Sequence, residues 1–144
     1  CLADTNACFE VRASDIDPAC VDIATENCRR AGVDRWVHVF RADALGIKKE
    51  DRKATIVTNP PYGERLLTPQ EAQKFYRQLG KSFSDLFPWH IYILTSDEEF
   101  ERHFARKADK VRKLYNGMIK CFFYQYFRSG SDSAPKESRI LRNR

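Results

Sequence analysis

Ile56-Val57-Thr58-Asn59-Pro60-Pro61-Tyr62-Gly63 joins a short apolar run to two successive prolines. Ala54 to Thr58 is β-prone and apolar enough for a buried parallel strand. The prolines cannot continue it, because each fixes φ at about −65° and removes a backbone donor. A rigid ledge must follow the strand. On that ledge the Asn59 side chain can turn its carbonyl outward, the Pro60 carbonyl lacks a ladder partner, and Tyr62 offers an aromatic face. Two acceptors beside a ring suit an exocyclic amine on a nucleobase. Hydrogen bonds to them would orient the nitrogen lone pair toward an electrophile and stabilise the positive charge that develops on transfer, without a strong general base. The plain structural alternative is an Asn-Pro turn with Tyr62 covering a sheet edge. The whole tetrad, directly after a buried strand and before Gly63, favours the chemical reading.

Outward from the ledge, strands and helices alternate. Cys8 to Asp15 has strand periodicity, and Asp17-Pro18 supplies an N-cap followed by proline in the first turn. Val21, Ala24, Cys28 and Ala31 then form a helical stripe that Gly32 can close in the left-handed conformation. Trp36 to Arg41 reads as a second strand. After the ledge, Thr68-Pro69-Gln70-Glu71 is a capping box, and Ala72, Phe75, Tyr76, Leu79, Phe83 and Leu86 share one face of the helix it opens. Trp89 to Thr95 is a fourth strand, and Ser96 to Glu99 a second capping-box pattern ahead of Phe100 and Phe104. Lys110 to Tyr115 and Met118 to Phe127 flank Asn116-Gly117, a strong hairpin signal. From Ser129 the chain turns polar and aperiodic, so residues 129–144 are expected to form a flexible basic tail.

This order predicts an α/β fold: an open, Rossmann-like, mostly parallel sheet with an antiparallel hairpin at its C-terminal edge. Ligands of such sheets bind outside the carboxyl ends of the strands. Asp15 and Asp17 follow the first strand, Asp43 the second, and Asn59 to Tyr62 the third. A carboxylate at Asp15 can accept both hydroxyls of a ribose, whereas Asp17 is as well explained by capping. Asp43 could accept from an adenine amino group, with position as its support.

At 144 residues one fold unit is expected, and no apolar run nears the roughly 20 residues of a membrane span. The five cysteines are odd in number and show no C-x-x-C pair, which fits reduced cytosolic thiols and a cytoplasmic protein with no leader peptide. His38, His90 and His103 show no metal-ligand spacing, so no metal is expected. The net charge of +5, and the cluster Arg102, Arg106, Lys107, Lys110, Arg112 and Lys113, favour an anionic partner such as nucleic acid. The hairpin aromatics follow a strand period and are expected to pack the sheet rather than to stack bases.

Ser14 to Pro18, the Asn27 to Gly32 helix end, Ile56 to Leu66 and Lys113 to Gly117 together resemble the guanine-N2 methyltransferases of large-subunit ribosomal RNA. The resemblance covers nearly all of residues 8 to 127. Asn-Pro-Pro-Tyr alone also occurs in DNA adenine and protein glutamine methyltransferases. The resemblance implies a class I methyltransferase domain over residues 1–128, S-adenosylmethionine as cofactor, ribosomal RNA as substrate and an upstream THUMP RNA-binding domain. It assigns Asp15 to the cofactor ribose with Asp17 beside it, and Asp43 to the adenine. Asn59, Pro60 and Tyr62 become the catalytic group for the target guanine, with Pro61, Gly63 and Arg65 as substrate contacts. One departure stands out: the family's first strand and glycine-rich cofactor loop should lie upstream of Cys8. Residues 1 to 7 contain no glycine, and none of the six glycines makes a G-x-G. The chain is therefore expected to lack the first strand and to bind cofactor weakly or not at all by itself. A DNA adenine-N6 methyltransferase and a non-catalytic RNA-binding fragment are the alternatives.

Overall fold

Residues 9–61 and 68–127 are described by the structure, a computed structural model. The chain divides into two compact units, Cys1–Lys48 and Lys49–Arg144.

In the first unit, β1 (Val11–Asp15) and β2 (Val37–Arg41) pair in parallel, with Val11 opposite Val37 and Asp15 opposite Arg41. The crossover between them is α1 (Pro18–Arg30). Its ends are set by local chemistry. The Asp17 carboxylate accepts from the Ala19 amide at 2.9 Å, satisfying one of the orphan donors of the first turn. At the other end Gly32 adopts φ +66°, its N–H donates to Arg29 O, and Val33 N–H donates to Cys28 O, each at 3.0 Å. These paired bonds form a Schellman motif, and the left-handed residue it requires costs glycine no Cβ clash. Val21, Ala24 and Cys28 of the expected stripe are half-buried and Ala31 is exposed. None of the described residues of this unit is fully buried.

The second unit holds β3 (Thr55–Thr58), α2 (Pro69–Ser84), β4 (His90–Thr95), α3 (Phe100–Phe104), β5 (Lys110–Asn116) and β6 (Ile119–Tyr126). Its sheet runs β3-β4-β6-β5, with β3 parallel to β4 and the other pairings antiparallel. Register and alternation put Ile91, Ile93, Thr95, Phe122, Tyr124 and Tyr126 on one face, all of them buried. Helices α2 and α3 cover that face: the Phe100 ring lies 4.9 Å from Tyr76 and 5.0 Å from Tyr124, and Phe104 lies 5.2 Å from Tyr126. Of the expected stripe, Ala72, Tyr76, Leu79, Phe83 and Leu86 are buried and Phe75 is half-buried, each large buried apolar group contributing ~1.5–3 kcal/mol by leaving water. The capping box forms in both directions, Thr68 accepting from the Glu71 amide and the Glu71 carboxylate accepting from the Thr68 amide.

Several expectations are modified. The described strands form two separate sheets, one of two strands and one of four. β3 is not a buried strand: Val57 is 72% exposed, because it points to the sheet face opposite α2 and α3. The Ser96 capping box does not form. Thr95 Oγ1 takes the Asp97 amide at 3.2 Å and the Asp97 carboxylate takes the Glu99 amide at 2.8 Å, so the chain is still turning and the helix starts only at Phe100. In the hairpin, Asn116 pairs with Ile119, which makes Gly117-Met118 the turn rather than Asn116-Gly117. Gly117 carries the φ of +60° that this turn needs.

Candidate active site

The ledge leaves β3 where the pairing of Thr58 with Ile93 brings the carboxyl ends of β3 and β4 side by side. Pro60 is buried, Asn59 immediately before it is exposed, and Pro61 is half-buried. One proline thus anchors the segment while the amide side chain faces outward. Among the described residues no protein group hydrogen-bonds the Asn59 side chain or the Pro60 carbonyl. The Asn59 side chain is exposed and so available to a ligand. Tyr62, Gly63 and Arg65 lie outside the described residues.

A phenol fastens the ledge from beneath. Tyr76 OH lies 3.2 Å from Pro61 O and 3.1 Å from Thr95 Oγ1, and both side chains are fully buried. The segment after β4 is held in the same way, Tyr124 OH donating to Asp97 O at 3.0 Å. Burial pushes the Tyr124 phenol up to about 12, with the nearby Glu101, Asp97 and Glu98 carboxylates adding to the shift, so it stays protonated and remains a donor. Sequence reasoning does not single out Tyr76 or Thr95, which read there as members of a helical stripe and of a strand.

Asp15, Asp17 and Asp43 belong to the other unit, at the carboxyl ends of its adjacent parallel strands. Each accepts a backbone amide two residues on: Asp15 from Asp17, Asp17 from Ala19 and Asp43 from Leu45, all at 2.9 Å. Asp43 therefore caps the short 3₁₀ turn Ala44–Gly46, and Asp15 closes an Asx turn. Arg41 Nε donates to Ile16 O at 3.0 Å and so ties the loop after β1 to the end of β2. The Asp15 carboxylate is exposed and next to it stands Ile16, an apolar side chain 62% exposed. An exposed carboxylate beside an exposed aliphatic surface fits a nucleoside with its sugar hydroxyls and flat base.

The basic cluster is not one patch. Alternation along β5 sends Lys110 and Arg112 to the face that carries Phe123 and Gln125, and Lys113 to the face that carries Phe122. Arg102 lies 3.5 Å from Glu99, and Arg106 sits over the Phe87 ring at 3.5 Å. His38 and His90 are exposed and His103 is buried in α3. Among the described residues no cluster of His, Cys, Asp or Glu could hold a metal, and Cys20, Cys28 and Cys121 are free thiols. No helix among them is long and apolar enough to cross a membrane.

Residues 2–125 match the family model described as UPF0020, RMKL-like methyltransferase domain. The chain belongs to this family. It is 42% identical over 115 residues to the "Putative RNA methyltransferase YpsC" of Bacillus subtilis (strain 168), a match over 80% of this chain and 30% of YpsC. It is also 36% identical over 126 residues to the ribosomal RNA large subunit methyltransferase K/L of Shewanella frigidimarina (strain NCIMB 400), over 87% of this chain and 18% of that protein. Among solved structures it superposes on SMU.472, "a putative methyltransferase complexed with SAH", with TM-score 0.78 and 38% identity, over 83% of this chain and 32% of that one. The chain thus spans a third or less of each of these relatives. The α/β fold is that of class I methyltransferases, as the order of elements implied.

Proposed function

We propose that this chain carries the methyl-acceptor side of an S-adenosylmethionine-dependent RNA methyltransferase, acting on the exocyclic N2 amine of guanine in large-subunit ribosomal RNA. The observation that carries it is the ledge: an exposed Asn59 amide and a Pro60 carbonyl without a protein partner among the described residues, set on a buried proline at the end of a strand. The names of the relatives support RNA, and ribosomal RNA in particular, as the substrate.

The guanine amine has two N–H donors, and its lone pair is delocalised into the ring. Asn59 Oδ1 and Pro60 O would each accept one N–H, which favours a pyramidal nitrogen whose lone pair is withdrawn from conjugation, localised on the nitrogen and aimed. Bound S-adenosylmethionine would supply an electrophilic methyl group, its sulfur keeping the electron pair of the S–CH3 bond that breaks. As the nitrogen gains its new bond it becomes positive and its protons more acidic, so both acceptors bind more strongly in the transition state than in the ground state. One proton then leaves to solvent, and no general base is needed on the ledge. Tyr62 would stack on the base, and Pro61, Gly63 and Arg65 would line its approach. Asp15 would hold the cofactor ribose with Ile16 against its base, and Asp43 would accept from the adenine amine. Asp17 contributes by holding the turn.

The methyltransferase domain is assigned to residues 1–128, with 129–144 as a tail and a THUMP domain upstream in the parent protein. Free thiols suit a reducing cytoplasm. Labelled S-adenosylmethionine, unmodified ribosomal RNA and duplex DNA, assayed with the longest natural polypeptide that contains residues 1–144, test the reading. Methyl transfer to guanine that falls about 100-fold or more in Asn59→Ala is expected. Transfer to DNA adenine instead would assign the DNA chemistry, and salt-dependent RNA binding with no transfer would leave a binding module.

A further inference from the structure

Pro61 O can only accept a hydrogen bond, and this fixes the protons of every group behind it. Tyr76 has one hydroxyl proton, so it must donate it to Pro61 O across 3.2 Å. The Tyr76 oxygen is then the acceptor in its 3.1 Å contact with Thr95, and Thr95 must donate. The Thr95 oxygen in turn accepts from the Asp97 amide at 3.2 Å. One directed chain results: Asp97 N–H to Thr95 O–H to Tyr76 O–H to the Pro61 carbonyl. In the buried setting of Tyr76 and Thr95 its members polarise one another.

The chain links the turn after β4 to the ledge after β3. It also starts from a residue whose own carbonyl is held by Tyr124 at 3.0 Å. Pro60 and Pro61 limit the ledge to few backbone conformations, and the bond at Pro61 O selects one of them. The ring of Tyr76 is itself packed, edge-on to Phe100 at 4.9 Å and to Phe75 at 6.3 Å.

We infer that Tyr76 and Thr95 are positioning residues for methyl transfer, setting the orientation of Asn59 and the Pro60 carbonyl through a directed hydrogen-bond chain that ends on the Pro61 carbonyl. The inference rests on the function proposed for the ledge. Neither side chain touches the substrate in this scheme. Their effect is geometric, and it falls on the step in which the amine must be aimed rather than on the binding of either substrate.

The test compares Tyr76→Phe, Thr95→Val, Thr95→Ser and the Tyr76→Phe/Thr95→Val double variant in the longest natural polypeptide containing residues 1–144. Labelled S-adenosylmethionine and unmodified ribosomal RNA are the substrates, and a thermal melt of each variant is recorded. Tyr76→Phe keeps the ring and its packing. It should lower kcat by about 10- to 100-fold while leaving KM for S-adenosylmethionine and for RNA within about twofold, the size expected when reacting groups are misplaced by a fraction of an ångström. Thr95→Ser retains the hydroxyl and should keep near wild-type kcat, whereas the kcat of Thr95→Val should fall between those of Thr95→Ser and Tyr76→Phe. The double variant should be no slower than Tyr76→Phe alone, because Thr95 acts through Tyr76. A wild-type kcat in Tyr76→Phe overturns the inference, as does a loss that vanishes when the assay is cooled well below the melting transition. If Asn59→Ala is inactive while Tyr76→Phe is fully active, the proposed function stands and only the positioning role falls. If the wild type transfers no methyl group, both fall.

Discussion

Gly80 lies one helical turn beyond Tyr76 on α2, and its missing side chain is what lets the end of α3 approach. A Cβ there would fall 2.9 Å from the Phe104 carbonyl carbon and 3.2 Å from its Cα, and closer still to the carbonyl oxygen. The obstruction is backbone, so it cannot swing aside as a flexible side chain would. Alanine in a helix interior is better than glycine by about 1 kcal/mol. Against this stands an overpacking cost of ~1–3 kcal/mol for forcing packed elements apart. The overpacking cost should win, because α3 cannot retreat without loosening Phe100 from Tyr76 and Phe104 from Tyr126. Gly80→Ala is therefore expected to destabilise the second unit by up to about 2 kcal/mol and to lower the melting temperature by roughly 4–8 °C for each kcal/mol lost. Urea unfolding followed by near-ultraviolet circular dichroism, which senses the packed aromatic rings, would measure it. A gain of about 1 kcal/mol, the bare helix propensity, would refute the close approach of α3 to α2 and with it the packing that holds Tyr76.

Two further outcomes are expected. Thr68→Ala removes the hydroxyl half of the capping box, leaving the residue-68 amide to donate to Glu71, and should cost about 1 kcal/mol, read from a shift in the denaturation midpoint. The bonds from the Thr68 amide and hydroxyl hold the Glu71 carboxyl below the ordinary carboxylate range. Because the folded pKa is the lower one, this stabilisation is complete above the unfolded pKa and is lost as pH falls through the folded value. Thr68→Ala should thus flatten the acid limb of the stability profile in part, since the larger lowering by the backbone amide is retained, and an unchanged limb would count against the hydroxyl contact. Amide hydrogen exchange should be faster throughout β1, α1 and β2 than in β4 and β6, since the described residues of the first unit include no buried side chain while β4 and β6 carry seven. Equal protection of the two units would contradict that difference.

Where local chemistry decides, the sequence can be read closely. The capping box at Thr68, the Asp17-Pro18 start, the Gly32 stop and the hairpin are written in residues that interact within a few positions of one another. So is the ledge, because two prolines after a strand leave little freedom. Val57 shows the limit: an apolar run looks the same whether one or both faces of its sheet are covered, and only the assembled sheet reveals a 72% exposed valine. Asp43 and Asp15 show a second one. The ligand roles proposed for them rest on position at strand ends, whereas the structure shows each carboxylate organising its own loop by accepting the amide two residues on. Tyr76 and Gly80 show a third. At helical spacing a tyrosine reads as core and a glycine as a weak point. Their importance comes from partners 15, 19 and 24 residues away, Pro61, Thr95 and Phe104, which only the tertiary pairing brings near. The buried stripe of α2 therefore does two things at once: its apolar atoms hold the second unit together, and its one phenol fixes the peptide on which the proposed chemistry depends. A search for functional residues confined to loops and exposed positions passes over that phenol, although the acceptor geometry of the ledge cannot be set without something in its place.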